Sequence, residues 1–443
     1  MAFSGGSLSR LISFRNNRKF PMHQINQNRV LVLGDDMRIF LAVVRSLGRA
    51  GLEVHAIPFE SDAPALTSKY VKVVHRLPLF ATAPEAWTAG LLGLLHKGAY
   101  DMVIPCDDRA ILALDLNRDC FAGHRIAIPN PKMMDLLFDK ERTHALCETL
   151  GIPVVKELRL DESAASRDLA ASIGLPLVVK PRRSYWPDRL ETWGKVHIIE
   201  DERQLDETLA AIDDKQRYLA QSYFEGAGVG VSVLAHEGEI LQVFQHRRLR
   251  ERRGGVSTCR VSEPVNPELL KACEKICGHT SLSGVCMFEF RYNLESHAWV
   301  MIEVNARFWG SVPLPVSLGV DFPLFLYDLA VNGKVRARAG YSAGIRSRNL
   351  ALDGLELLAR LQRMRARELA GWAGDVVGFL SQPLRWLTGS ERSDSFVGDD
   401  LKPAFAEIAG LLRHARRKLR ANPEKGLAAA GGCAPEMTFT RDA

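Results

Sequence analysis

Near residue 300 the chain reads Val300-Met301-Ile302-Glu303-Val304-Asn305-Ala306-Arg307-Phe308-Trp309. In a strand, alternate side chains share a face, so Glu303, Asn305 and Arg307 project together. Three polar groups on one face of an apolar strand are costly to bury without partners. Carboxylate and carboxamide oxygens suit a hard cation, and an arginine suits a phosphate. Upstream, Val285 to Tyr292 is a second strand-like run containing Glu289, and Asn293 to His297 supplies turn formers between the two. Folded as a hairpin, the runs set Glu289 beside Glu303. Two carboxylates and an amide then converge in a way that fits one or two Mg²⁺ ions carrying nucleotide phosphates. The bland alternative is an edge strand with solvated charges, which so apolar a frame disfavours.

The remaining candidate groups are cations. Gly174-Leu175-Pro176-Leu177-Val178-Val179-Lys180-Pro181 delivers Lys180 from an apolar strand to a sheltered place, where an anion must compensate it. Pro181 ends the strand because it lacks a ladder donor. Lys140 lies in a helix over 132–150, within Asp139-Lys140-Glu141-Arg142-Thr143, and Leu150-Gly151-Ile152-Pro153 closes that helix. Arg247 to Arg253 holds five arginines in seven residues, next to Gly254-Gly255. Such a run is a solvated basic loop or an anion site. Arg248 and Arg250 share a face if the strand continues.

Phe288-Glu289-Phe290, Ile302 to Arg307, the Asp139-Lys140 pair with its LGIP, and the strand lysine together resemble the ATP-grasp superfamily. That group includes biotin carboxylase, carbamoyl phosphate synthetase, D-alanine–D-alanine ligase and many carboxylate–amine ligases. The resemblance implies a cofactor set of ATP and Mg²⁺, with Mn²⁺ as a substitute and two ions expected. It implies Glu289, Glu303 and Asn305 on the metal and Lys140 and Lys180 on the phosphates. In Tyr218 to Gly226, Gln221 and Phe224 would serve adenine and Glu225 the ribose or a loop. Arg307, with Arg248 or Arg250, would stabilise the γ-phosphoryl group in flight. The implied reaction activates a carboxylate as an acyl phosphate, which an amine converts to an amide. The chain departs from the family in having Gln221 where Glu is commoner. Arg182 to Lys195 holds a single glycine where a glycine-rich loop is usual; there Arg182, Arg183 and Lys195 would supply the charge. Specific motifs cover 129–335, and 29–128 matches by pattern only.

Strands at 29–34, 53–59, 70–75, 102–105 and 125–128 alternate with helices at 39–50, 86–97 and 108–116. This alternation predicts a parallel sheet covered on both faces. Gly34-Asp35-Asp36 is not GxGxxG, so a dinucleotide site is poorly supported. Asp107 and Asp108 sit at a strand end, and at least one should cap the following helix. The expected fold is α/β: a Rossmann-like pre-ATP-grasp sheet, a two-subdomain α+β ATP-grasp fold, and a helical C-terminal extension. The expected divisions are a flexible basic lead-in at 1–28, then 29–128, 129–335, a helical basic region at 336–420 and a disordered tail at 421–443.

Composition is that of an ordinary globular protein, with 47% hydrophobic and 25% charged residues in a chain of 443. The net charge of +6 gathers largely at the two ends. No motif resembles a nucleic-acid binder; the resemblance implies a small carboxylate and an amine as partners, and a homodimer is compatible. Eight cysteines without CxxC pairing read as reduced thiols of a cytoplasmic protein. No apolar run reaches the roughly 18–20 residues of a membrane span, and no secretory signal is expected. Helices at 355–369 and 401–419 are amphipathic with basic faces; packing on the catalytic unit is favoured over contact with an acidic membrane surface. A nucleotide-binding scaffold without catalysis and a carboxylase-type enzyme are the alternative functions.

Overall fold

The computed structural model describes residues 10–13, 27–163, 165–190, 194–252, 255–363 and 369–421. A short strand β1 (Arg10–Ser13) pairs antiparallel with residues 334–337. The expected lead-in thus contributes a strand; its other residues through 26 lie outside the described ones.

The N-terminal layer is a four-stranded parallel sheet. Its strands are β2 (Arg29–Leu33), β3 (Glu53–Ile57), β4 (Val71–Val74) and β5 (Met102–Pro105), in the order β4-β3-β2-β5. Helices α1 (Ile39–Arg49), α2 (Pro84–Gly98) and α3 (Asp108–Leu116) connect or follow them. Buried strands read as unbroken apolar runs because both faces are covered. Val30 and Val32 join the core built with α1, while Leu31 and Leu33 join the one built with α2 and α3. The strand expected at 125–128 is reduced to one bridge between Val103 and Ile126.

Helices α4 (Pro131–Leu137) and α5 (Lys140–Thr149) lead into a small antiparallel sheet. Its strands β6 (Glu157–Arg159), β7 (Leu177–Pro181), β8 (His197–Ile199) and β9 (Tyr218–Ser222) take the order β6-β9-β7-β8. Two helices, α6 (Ser166–Ile173) and α7 (Glu202–Ala210), share its core through Leu169 and Leu205.

A seven-stranded sheet carries the candidate metal hairpin. It contains β10 (Ala227–His236), β11 (Glu239–Glu251), β12 (Ser257–Glu263), β13 (Gly284–Tyr292) and β14 (Trp299–Asn305). Helix α8 (Pro267–Thr280) buries Leu269, Cys273 and Ile276 with Val231 and Phe288 of this sheet. Two short helices, α9 (Pro313–Ser317) and α10 (Phe322–Tyr327), share one core with α1 and β2. The N-terminal layer and the large sheet are therefore packed through a continuous apolar interior. After α10, β15 (Lys334–Ala337) completes the pair with β1.

The region expected to be helical also contributes two strands. β16 (Arg346–Arg348) and β17 (Glu391–Ser393) extend the large sheet beyond β12. Arg-Ser-Arg lacks the apolar alternation that marks a strand, because ion pairs replace the apolar contacts. Arg348 Nε lies 2.9 Å from Glu391 and Arg260 lies 2.6 Å from Asp394, all with side chains at most 2% exposed. Helices α11 (Leu350–Arg363), α12 (Leu369–Leu380), α13 (Gln382–Leu387) and α14 (Lys402–Ala421) complete the described residues. Leu357 and Ala404 pack inward, whereas Leu380, Leu384, Leu387 and Phe405 face out. Among the described residues no helix is long and apolar enough to cross a membrane. Residues 422–443, expected as a disordered tail, lie outside the described ones.

Candidate functional site

The β13–β14 register sets Glu289 directly opposite Glu303, with a bulge immediately after the pair. Asn305 Nδ2 lies 3.0 Å from Glu303 Oε1 and 3.3 Å from Glu289 Oε1. Turning that amide about its axis would instead present Oδ1 beside the carboxylate oxygens. The two carboxylates are driven apart in acidity, as like charges in one buried place must be. Burial raises Glu289 despite Arg248, whose terminal nitrogen is 2.5 Å away. Burial also opposes the charge on Glu303, but Lys140 and Lys180 outweigh it and bring Glu303 down to about 2.

Lys140 Nζ is 3.7 Å from Glu303 Oε2. Lys180, at the end of β7, is 4% exposed and its Nζ lies 3.4 Å from the Ile302 carbonyl oxygen. Burial, then repulsion from Lys140, lowers Lys180 to about 8. Both lysines foreseen in the sequence thus converge on the acidic hairpin. A further acid, Glu157 on β6, joins them: burial raises it and Lys180 opposes the rise. Gln221 donates its amide N–H to Glu157. Glu157 escapes sequence reasoning because its strand has three residues and no apolar pattern. Phe224 and Glu225 follow β9 in a loop, Phe224 half-buried and Glu225 exposed.

The arginines divide. Arg248 reaches Glu289 and also lies 3.2 Å from Glu251 and 2.7 Å from the Gly255 carbonyl oxygen. Gly228 makes this possible, since a Cβ there would come within 2.8 Å of Arg248 Cδ. Arg250 points elsewhere, 2.5 Å from Asp353 and 2.9 Å from Asp375 of the C-terminal helices. A register irregularity between Arg248 and Arg250 in the β11–β12 pairing breaks the shared face expected for them. Arg307 donates both Nε and a terminal N–H to Asp108, the latter at 3.2 Å. Asp107 is the cap of α3, accepting the Ala110 N–H at 3.1 Å, which leaves Asp108 to face the hairpin.

Charge also anchors the glycine-poor segment. Asp139 caps α5 through the N–H groups of Glu141 and Arg142. The same carboxylate lies 3.0 Å from Arg182 and 3.2 Å from Arg183. These arginines, expected to face phosphates, instead tie their segment to the start of α5. Lys140 N–H donates to the Arg182 carbonyl oxygen at 2.9 Å. An open cleft results, lined by Asp108, Lys140, Arg183, Tyr185, Glu303 and Asn305. It brings together the N-terminal layer, α5 and the hairpin.

A family model described as ATP-grasp in the biosynthetic pathway with Ter operon matches residues 214–351. The carbamoyl phosphate synthase large chain, C-terminal section, of Methanopyrus kandleri is 26% identical over 212 residues, 46% of this chain and 38% of that one. The formate-dependent phosphoribosylglycinamide formyltransferase of Stenotrophomonas maltophilia is 31% identical over 154 residues, 34% of this chain and 36% of that one. The chain thus spans less than two fifths of the length of either relative. A biotin carboxylase from Campylobacter jejuni, solved as a βγ-ATP complex, superposes with a TM-score of 0.55 at 16% identity, covering 71% of this chain and 74% of that one. An L-amino acid ligase from Bacillus licheniformis superposes with a TM-score of 0.50 at 17% identity, covering 70% and 75%. The chain is ATP-grasp-like in sequence and in fold, similar to the carboxylate–amine ligases of that superfamily.

Proposed function

We propose that this chain is an ATP-dependent ligase that joins a small carboxylate to an amine through an acyl phosphate. The carrying observation is the convergence of Lys140 and Lys180 on Glu303, which faces Glu289 across the hairpin beside Asn305. Phosphates and a metal have complementary places in that arrangement.

The residues fit a hard divalent cation. Two carboxylates crowded in a buried place favour a positive charge between them, and the third donor is an amide oxygen. Among the described residues no three His, Cys, Asp or Glu side chains gather for a metal, so the set depends on Asn305. Mg²⁺ held there supplies charge neutralisation of the triphosphate. Lys180 and Lys140 hold phosphate oxygens, and Gln221 with the loop at Phe224 and Glu225 receives the nucleoside. Arg248 exchanges Glu289 for the transferring phosphoryl group, while Arg307 keeps its place against Asp108, which lines the cleft.

A substrate carboxylate oxygen attacks the γ-phosphorus, and the bond to the bridging oxygen breaks with its electron pair leaving on ADP. The amine nitrogen then attacks the acyl carbon. The carbon–oxygen bond to phosphate breaks, phosphate departs, and the nitrogen releases a proton. Positioning and charge stabilisation carry most of such catalysis. A cytoplasmic place suits the reading, since the seven cysteines among the described residues are free thiols.

Hydroxylamine tests the intermediate. Acid, Mg-ATP and hydroxylamine should yield ADP, phosphate and the hydroxamate, and ¹⁸O from the acid should enter the phosphate. Glu303→Ala and Lys180→Ala should abolish both. ADP release without acid dependence, or phosphate free of the label, would defeat the reading.

A further inference from the structure

A second opening lies outside the arrangement described above. It sits at the carboxyl ends of β2 and β3, where open parallel sheets collect ligands, and opens to solvent at its mouth. Ile57, Phe59, Leu79, Trp87 and Ala113 are among the side chains around it, and Arg109 stands at its edge. An opening lined mostly by apolar side chains, with one charged group at its edge, has the lining of a small-molecule site.

Helix α3 borders both this cavity and the cleft. Asp108 and Leu112, one turn apart, line the cleft, whereas Arg109, Ala110 and Ala113 line the cavity. The segment after β7 touches both, with Tyr185 on the cleft and Leu190 on the cavity. Arg109 stands between them: its guanidinium carbon is 3.9 Å from the Phe59 ring centre and 5.8 Å from that of Tyr185. Asp107 fixes it there, 2.8 Å from a terminal nitrogen. Alanine at 113, almost fully buried, keeps the α3 side of the cavity open.

We propose that this cavity seats an apolar group, of the size of an aromatic or branched aliphatic side chain, carried by the carboxylate substrate. The acyl end of that substrate then reaches past Arg109 to Asp108 in the cleft. The proposal rests on the ligase reading and adds the class of acid. Burial of such a group favours bulky apolar acids over small ones by roughly tenfold or more.

The test measures hydroxylamine-trapped turnover with acetate, glycine, phenylacetate, 4-methylpentanoate, L-phenylalanine and L-leucine. Thermal stabilisation by Mg-ATP is recorded in parallel. Bulky apolar acids should half-saturate at least tenfold below acetate or glycine. Ala113→Leu, which fills the cavity, should cut the preference for phenylacetate over acetate at least tenfold. Should that variant not fold, Leu79→Ala on the half-buried rim should weaken the same preference severalfold. An enzyme stabilised by Mg-ATP that prefers the small acids, traps none of the six, or keeps its preference in these variants overturns the cavity assignment and leaves the nucleotide site standing. A wild type that Mg-ATP does not stabilise overturns the ligase reading, and this proposal with it.

Discussion

Arg307 and Asp108 are bonded through two N–H donors across 199 residues of sequence. The pair ties the strand bearing Glu303 and Asn305 to the first turn of α3. Asp108→Asn should keep the protein folded and keep its stabilisation by Mg-ATP, because the lysines and the hairpin are untouched. Turnover should fall at least tenfold, since Arg307 loses the partner that orients it. Equal loss of nucleotide binding and turnover would mean the pair merely holds the layers together. Comparing kcat with the Mg-ATP dissociation constant decides the matter.

Lys180 is poised to take up a proton when nucleotide binds. Burial and Lys140 lower it to about 8, so much of it is neutral in the free protein above that pH. Phosphates favour the charged form and raise its pKa. Between about pH 8 and 9, calorimetric titration in buffers of different ionisation enthalpy should show net proton uptake approaching one per Mg-ATP. Lys180→Arg should remove this uptake while preserving the positive charge. Uptake unchanged in that variant would place the proton elsewhere.

Asp139 both caps a helix and neutralises two arginines while almost wholly buried. Replacement by Ala removes a cap worth about 1 kcal/mol, takes a counter-charge from the partly buried Arg183 and leaves Arg182 with Glu141 at 2.8 Å. A loss of roughly 2–4 kcal/mol is expected in denaturant unfolding. Trypsin should also cut faster at Arg182, Arg183 and Arg189, because their segment loses its tether to α5. Unaltered cleavage would show that the segment is held by its other contacts.

Asp35 gives a pH signature separate from the cleft. Burial raises it from 3.8 to about 6 although it accepts N–H bonds from Phe59 and Glu60. The folded state therefore holds this proton more tightly than the unfolded one. Its stabilising contribution is complete below about pH 4 and is lost as pH rises through about 6. Asp35→Asn should gain stability relative to wild type across that window, by up to about 2–3 kcal/mol at the plateau. Melting temperatures of both proteins from pH 4.5 to 7.5 measure the gap, which should widen and then level off.

The hairpin is legible in the sequence because strand periodicity alone aligns Glu303 with Asn305, and a turn supplies the partner strand with Glu289. Lys180 is legible for a related reason: an apolar run delivers a charge. Arg250 is not legible, since a bulge has no sequence mark of its own and turns Arg250 away from the acids that Arg248 faces. Glu157 stays hidden because three residues cannot show a pattern. The parallel N-terminal sheet follows from its apolar runs, whereas β16 and β17 do not, being held by buried ion pairs rather than by apolar faces. The general rule is physical. Patterning reports where apolar surface is buried, so elements stabilised by paired charge leave little trace in it.

Arg45 in α1 is almost fully buried, and its counter-ion is Asp400, with further N–H bonds to the Asp394 and Ser395 carbonyl oxygens. Asp399 likewise binds Arg49 and Tyr70. On the ribosome, α1 emerges some 350 residues before these partners. Until residues 394–400 arrive, α1 holds a cation whose burial nothing offsets, so this helix settles only after partners made far later in synthesis.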